Sequence, residues 1–163
     1  MPPTAFPSRS RAAASCSPVR CLAALCLSVM TATAQAQFAM LPAPAVASAP
    51  PPSAAATTAD YKRDAARHIY AAYGSRIYRG KLQPLLFGIA VVETHLGPDG
   101  QVIDVVMVRP PSAREVGPWV VQMIQRAGPF PPPARLGRTR FTEVWLVDKS
   151  GTFQLDTLTE GQL

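Results

Sequence analysis

Few side chains in this sequence could carry out chemistry. His68 and His95 are its only histidines, and neither has a second metal ligand at a suitable spacing. Glu93 and His95 are two residues apart, so a strand would place both on one face, where they could form an ion pair. No nucleophile is recognisable beside this pair. We therefore expect no enzyme activity, no metal, no cofactor and no small-molecule substrate.

The cysteines and the net charge restrict the remaining classes of function. Cys16, Cys21 and Cys26 all lie near the N-terminus, so the rest of the chain has no thiol for a disulfide or a nucleophile. The formal net charge is +6, but three of the 16 basic residues lie in the same N-terminal segment. Without these three, 13 basic and 10 acidic residues remain. That balance does not predict nucleic-acid binding, which needs a clustered basic patch.

The N-terminal segment has the order of an export signal. Several arginines precede an apolar stretch over 21–34, and Ala34 and Ala36 form a small-residue cleavage pattern before Gln37. The apolar stretch has 14 residues, whereas a membrane-spanning helix needs about 20. We predict a Sec signal peptide over 1–36. An uncleaved membrane anchor is the alternative.

A spacer is predicted to follow, over 37–59. From Pro42 onwards it consists of Ala, Pro, Ser, Thr and one Val, and it carries no charge. Such a composition buries too little apolar surface to offset the entropy of ordering the chain. Consecutive prolines at 50–52 favour an extended polyproline conformation. We expect this stretch to be disordered and one domain to occupy 60–163.

Two amphipathic helices are predicted within that domain. Asp60 is a candidate N-cap for a helix over 61–73, with Gly74 just past its end. Pro118 suits the first position of a second helix, whose apolar residues recur with helical spacing until Gly128.

Strand-like patterns surround the second helix. The stretches 85–96 and 101–109 are joined by Pro98, Asp99 and Gly100, which form a strong turn signal and predict a β-hairpin. Two further strands are predicted over 139–147 and 152–158. The expected fold is α+β: two helices packed on a three- to four-stranded antiparallel sheet, in the order α-β-β-α-β(-β).

Two tryptophans and three arginines are the candidate contacts for a partner. Trp119 stands at the predicted helix start, where an interface anchor and a core residue are equally compatible readings. Trp145 on an alternating strand favours core packing. Arg135, Arg138 and Arg140 form a basic cluster before the third strand. Such a cluster is typical of a solvated loop or edge, or of a contact to an acidic partner.

The order of four motifs carries a resemblance. They are Tyr78-Arg79-Gly80-Lys81 after the first helix, the hairpin with Pro98-Asp99-Gly100-Gln101-Val102, the valine-rich strand before Pro110-Pro111-Ser112, and Ala127-Gly128-Pro129-Phe130-Pro131 after the second helix. In this order, over roughly residues 61–147, they resemble the C-terminal domain of the TonB/TolA family of cell-envelope proteins.

The resemblance implies a non-enzymatic docking domain in the periplasm. Domains of that family pair with a segment of an outer-membrane receptor or another envelope protein, often by adding a strand to the sheet. The docking edge here would be the third strand or the C-terminal strand. The candidate partner-binding residues are Trp119, Arg138, Arg140, Thr142 and Val144, and a proline at Val144 is expected to abolish binding or folding.

Other interpretations stay open at this point. A membrane-anchored, TonB-like energy transducer for outer-membrane transport is one alternative, although the chain lacks the Lys-Pro repeats and the Gln-Pro-x-Tyr-Pro motif of transducers. A periplasmic enzyme inhibitor or another kind of envelope protein is a further alternative. A homodimer through a sheet edge is compatible with the sequence, and the C-terminal strand could cover the docking edge.

Overall fold

The computed structural model describes residues 49–163, which form two helices and one four-stranded antiparallel sheet. The sheet order is β2-β1-β3-β4. The predicted α+β class and element order are confirmed, with short 3₁₀ turns at Gly74–Arg76 and Asp156–Leu158. In chain order the main elements are α1 (Thr58–Ala72), β1 (Gly88–Leu96), β2 (Val102–Arg109), α2 (Val116–Ala127), β3 (Thr139–Val147) and β4 (Phe153–Leu155).

The predicted signal peptide, including Ala34, Ala36 and Gln37, lies outside the described residues. Neither helix within 49–163 has the length and hydropathy needed to cross a bilayer.

A single hydrophobic core lies between the helices and one face of the sheet. Along β1 and β3, every second side chain is buried, as expected for strands covered on one side only. Both helices contribute their apolar stripes to the same core. The largest fully buried side chains include Trp145, Tyr61, Phe130, Phe153 and Ile69.

The first helix begins earlier than the sequence pattern predicts. Thr57, and not Asp60, is the N-cap: its side chain accepts a hydrogen bond from the Asp60 N–H at 3.1 Å. Thr57 also donates to the Asp60 carboxylate at 2.7 Å. Asp60 therefore lies inside the first turn, where its negative charge favours the helix N-terminus.

The end of the predicted spacer belongs to the folded domain. Ser53 is buried, its N–H donates to the Pro132 carbonyl at 2.9 Å, and its hydroxyl donates to Asp64 at 2.6 Å. Ala55 packs against the core. The predicted boundary at residue 60 was therefore wrong. The reason is that an extended segment with little apolar surface is held by hydrogen bonds to another extended segment and to α1.

The second helix begins at Val116, so the prediction of Pro118 at its first position was wrong. Pro118 occupies the third helical position instead. This position is tolerated because the N–H groups of the first turn have no acceptor within the helix. Trp119 shares a buried face with Val116 and Met123, which stand three residues before it and four residues after it.

The hairpin turn has the predicted conformation. The Gly97 N–H donates to the Gln101 carbonyl at 2.9 Å, and Gly100 has a φ of +80°. The Gly100 carbonyl accepts a hydrogen bond from the Phe130 N–H at 2.9 Å. The hairpin tip is thus fastened to the segment that follows α2.

The fourth strand is shorter than the predicted 152–158. It ends at Leu155, and Asp156–Leu158 forms a 3₁₀ turn. Within this turn the Thr157 hydroxyl donates to the carboxylate of Glu143 on β3, at 2.6 Å. That contact holds the chain beneath the sheet instead of letting it continue along β3.

Candidate functional site

The outer side of β3 is only partly covered. β1 pairs with all nine residues from Thr139 to Val147, whereas β4 pairs only with Trp145, Leu146 and Val147. In the part of the chain that the structure describes, no strand lies on the outer side of 139–144. The C-terminal strand therefore covers one end of the predicted docking edge and leaves the other end open.

Backbone polarity alternates along this open edge. In an antiparallel strand, the N–H and C=O groups of one residue point the same way, and those of the next residue point the opposite way. The Val144 N–H donates to the Glu143 carboxylate at 3.0 Å, so it faces away from β1. Arg140 and Thr142 share its orientation. No backbone hydrogen bond within 49–163 reaches their outward groups.

The side chains of the same residues lie on the sheet face opposite the helices. Arg140 stands opposite His95 of β1, and Thr142 stands opposite Glu93. The His95 Nε2 atom lies 2.6 Å from a Glu93 carboxylate oxygen, which agrees with the expected pairing of these two residues. This pair faces solvent on a sheet surface, and the described residues around it form no catalytic constellation.

A shallow cleft of about 320 Å³ lies at the start of the open edge. It is lined in part by Arg138, Arg140, His95 and Ile103. Both arginines are exposed, and neither takes part in the ion pairs formed within residues 49–163. The open edge therefore begins in a positively charged surface, and no acidic side chain within residues 49–163 forms an ion pair with its two arginines.

Glu143 closes the other end of the open edge. Its carboxylate is buried and accepts hydrogen bonds from the N–H groups of Val144 and Thr157, in addition to the Thr157 hydroxyl. The Lys62 ammonium lies 3.5 Å away. Burial raises the pKa of Glu143, although the hydrogen bonds and Lys62 act in the opposite direction. The carboxylate occupies an edge N–H that a partner strand would otherwise use.

Glu143 gives the domain a pH-dependent stability. Burial raises the pKa of Glu143 in the folded state above its ordinary value of 4.5. Glu143 therefore contributes its full amount to the free energy of unfolding below pH 4.5, and this contribution is lost as the pH rises through the folded-state pKa. We expect the wild type to gain stability relative to Glu143→Gln as pH falls from neutral toward 4.5. Thermal unfolding of both proteins across this range measures the difference. A stability difference between the two proteins that stays constant with pH would contradict a raised pKa for Glu143.

Trp119 does not lie where a docking anchor would need to be. It is 3% exposed and packs edge-on against Phe153, with the ring centroids 6.0 Å apart. This burial disfavours the predicted partner contact, because Trp119 stands three residues after Val116 and four before Met123 and so faces the same core. Trp145 is fully buried, 4.7 Å from the same phenylalanine ring, which confirms the core interpretation.

The opposite edge of the sheet, formed by β2, was not among the predicted binding sites. Among residues 49–163, β1 is the only strand that pairs with β2, and three apolar side chains of β2 are exposed. A hairpin strand was predicted there, but its outer position in the sheet depends on the pairing of β1 with β3. Only the unusual number of apolar residues in 102–108 could have drawn attention to it.

No group of three or more His, Cys, Asp or Glu residues within 49–163 could hold a metal ion. Comparisons of the chain with protein-family models, with curated proteins and with solved structures find no match. The resemblance to the TonB/TolA family therefore depends on the sequence motifs described above.

Proposed function

We propose that this chain is a periplasmic protein-binding domain that accepts an extended segment of an outer-membrane or other envelope protein at the open edge of β3. The observation that carries the proposal is the row of outward backbone groups at Arg140 and Thr142, which have no backbone partner within the described residues. An added strand satisfies such groups and gains main-chain hydrogen bonds.

The surrounding charges favour a partner of a particular kind. Arg138 and Arg140 flank the start of the edge and have no acidic neighbour within ion-pair distance among the described residues. A partner segment with an acidic side chain near Arg140 would supply the missing counter-ion. The docking segment is therefore expected to be extended and acidic at one end.

Photo-cross-linking from the edge tests this function. A photoreactive amino acid at Thr142, in a Gram-negative cell that expresses the chain, should give a discrete adduct with an envelope protein. Lys149 is the matched control, because it is also exposed but lies in the turn between β3 and β4. Equal adducts from both positions, or none from Thr142, would contradict the proposal.

Export is the second half of the proposal. The mature protein is expected in the periplasmic fraction, with Gln37 as its first residue by mass spectrometry of the intact protein. Removal of the apolar segment would leave no N-terminal anchor. An uncleaved chain in the inner membrane would contradict the free periplasmic form and would favour the energy-transducer alternative.

A further inference from the structure

The outer strand β2 exposes more apolar surface than an ordinary sheet edge. Ile103 is 58% exposed, Val106 41% and Val108 57%. Monomeric proteins usually protect an edge strand with charges, prolines or bulges, because an exposed apolar edge pairs with other chains. Here the middle of the strand, between Asp104 and Arg109, has neither charge nor proline.

The backbone of β2 also has outward groups. The Val105 N–H donates to the adjacent Asp104 carboxylate at 2.8 Å, so it points away from β1. By alternation, Met107 points the same way. The pairing with β1 skips Ile103 and Val108, and these irregularities leave Asp104–Met107 as the regular stretch of the edge.

We propose that a second copy of this chain binds here, and that the two β2 strands pair antiparallel about a two-fold axis through Val106. In this register each Val105 pairs with Met107 of the other copy, and this pair forms once on each side of the axis. The Val105 N–H exchanges the exposed Asp104 carboxylate for the Met107 carbonyl of the other copy, which frees the Asp104 carboxylate for a new partner. The result is one continuous sheet across both copies. The irregularities at Ile103 and Val108 limit the pairing to this short, centred stretch.

The charges select a second copy over an unrelated peptide. Asp104 begins the regular stretch of β2, and Arg109 is the last residue of the strand. An antiparallel two-fold arrangement therefore brings each Asp104 beside Arg109 of the other copy, and no like charges stand directly opposite each other. The β3 edge differs in this respect, because its exposed charges are arginines and are not complementary to themselves. The two edges thus serve different partners.

A groove beside β2 fits the same arrangement. It has a volume of about 630 Å³, lies between β2 and α2, and is lined by Met107 and by apolar residues that include Pro111, Pro118 and Val121. In the proposed dimer, the side chains of the partner's β2 that face the helices lie along the open side of this groove. Dimerisation therefore covers apolar surface on both faces of the edge.

Sedimentation equilibrium of the protein isolated from expressing cells tests the proposal, from micromolar to near-millimolar concentrations. The wild type is expected to be in monomer–dimer equilibrium. Val106→Lys places two lysines opposite each other on the axis and should weaken the dimer at least about tenfold. Val106→Thr keeps the size and β-branching, and should change the dissociation constant by no more than about threefold. Circular dichroism shows whether each variant is folded.

Four further variants test the charge pairing and the choice of edge. Asp104→Arg and Arg109→Asp should each weaken the dimer, whereas the double variant should recover most of the wild-type affinity. Thr142→Lys, on the opposite edge, should leave dimerisation unchanged. A wild type that is monomeric throughout would overturn the proposal. So would a dimer that responds to Thr142→Lys and not to Val106→Lys. Neither result bears on envelope-partner binding at β3, which the cross-linking tests separately.

Discussion

Gly100→Ala is expected to destabilise the domain by about 4 kcal/mol or more, an unusually large effect for one methyl group. A Cβ atom at this position would lie 2.0 Å from the Phe130 carbonyl oxygen. The clash involves backbone on both sides, because the Phe130 N–H is itself bonded to the Gly100 carbonyl. Neither segment can move without breaking that bond, so the hairpin tip would separate from the core. Urea denaturation monitored by tryptophan fluorescence measures the loss.

Gly80→Ala is the matched control for this prediction. Gly80 has nearly the same backbone conformation, with a φ of +81°, but nothing lies within 4 Å of an added Cβ atom. Its substitution should cost only the left-handed strain of about 1–2 kcal/mol. Equal losses from the two variants would show that conformation alone, and not the contact with Phe130, makes Gly100 necessary.

Trp119→Ala is expected to destabilise the domain by about 3–5 kcal/mol, the range for truncating a buried aromatic side chain. Trp119 is almost completely buried and contacts the Phe153 ring, so the truncation opens a cavity between α2 and β4. Trp119→Phe retains an aromatic ring and should cost markedly less. Chemical denaturation measures both variants. Unchanged stability together with lost partner binding would restore the anchor interpretation.

Periodicity was sufficient to predict the fold, because helices and strands bury one face at characteristic spacings. The two-residue alternation around β1 and β3 predicted which face of each strand is buried, whereas the pairing of β1 with β3 is seen only in the structure. The turn at Pro98, Asp99 and Gly100 could also be predicted, since glycine alone adopts a positive φ without steric strain. What the sequence did not reveal is that the same glycine is needed for contact with Phe130, because that contact joins residues distant in sequence.

The errors share a physical cause, which is that tertiary contacts decide between local alternatives. Thr57 and Asp60 are both good N-caps, and the docking of the segment around Ser53 favours the earlier one. The start of α2 at Val116 adds Val116 to the buried stripe, and Trp119 lies on that stripe by its helical spacing from Val116 and Met123. The register shifts in the β1–β2 hairpin were not predicted, because the turn signal indicates that the two strands pair but not where the pairing is interrupted.

The candidate docking residues on β3 had a different outcome. Arg140, Thr142 and Val144 were proposed by resemblance, and all three have outward backbone groups in the structure. Binding by these residues stays a prediction. The expectation that a proline at Val144 abolishes folding is weakened, because its N–H bonds to Glu143 and not to β1. Proline is tolerated at such outward edge positions.

Thr142→Pro compared with Thr142→Val tests strand addition most directly, with a photoreactive amino acid at Val144 reporting partner capture. Proline removes an outward N–H that has no backbone acceptor within the described residues, so the domain should remain folded. Valine keeps this N–H and the strand propensity. The proposal predicts that the envelope-protein adduct is lost with proline and retained with valine. Equal adducts from two folded variants would contradict strand addition at β3.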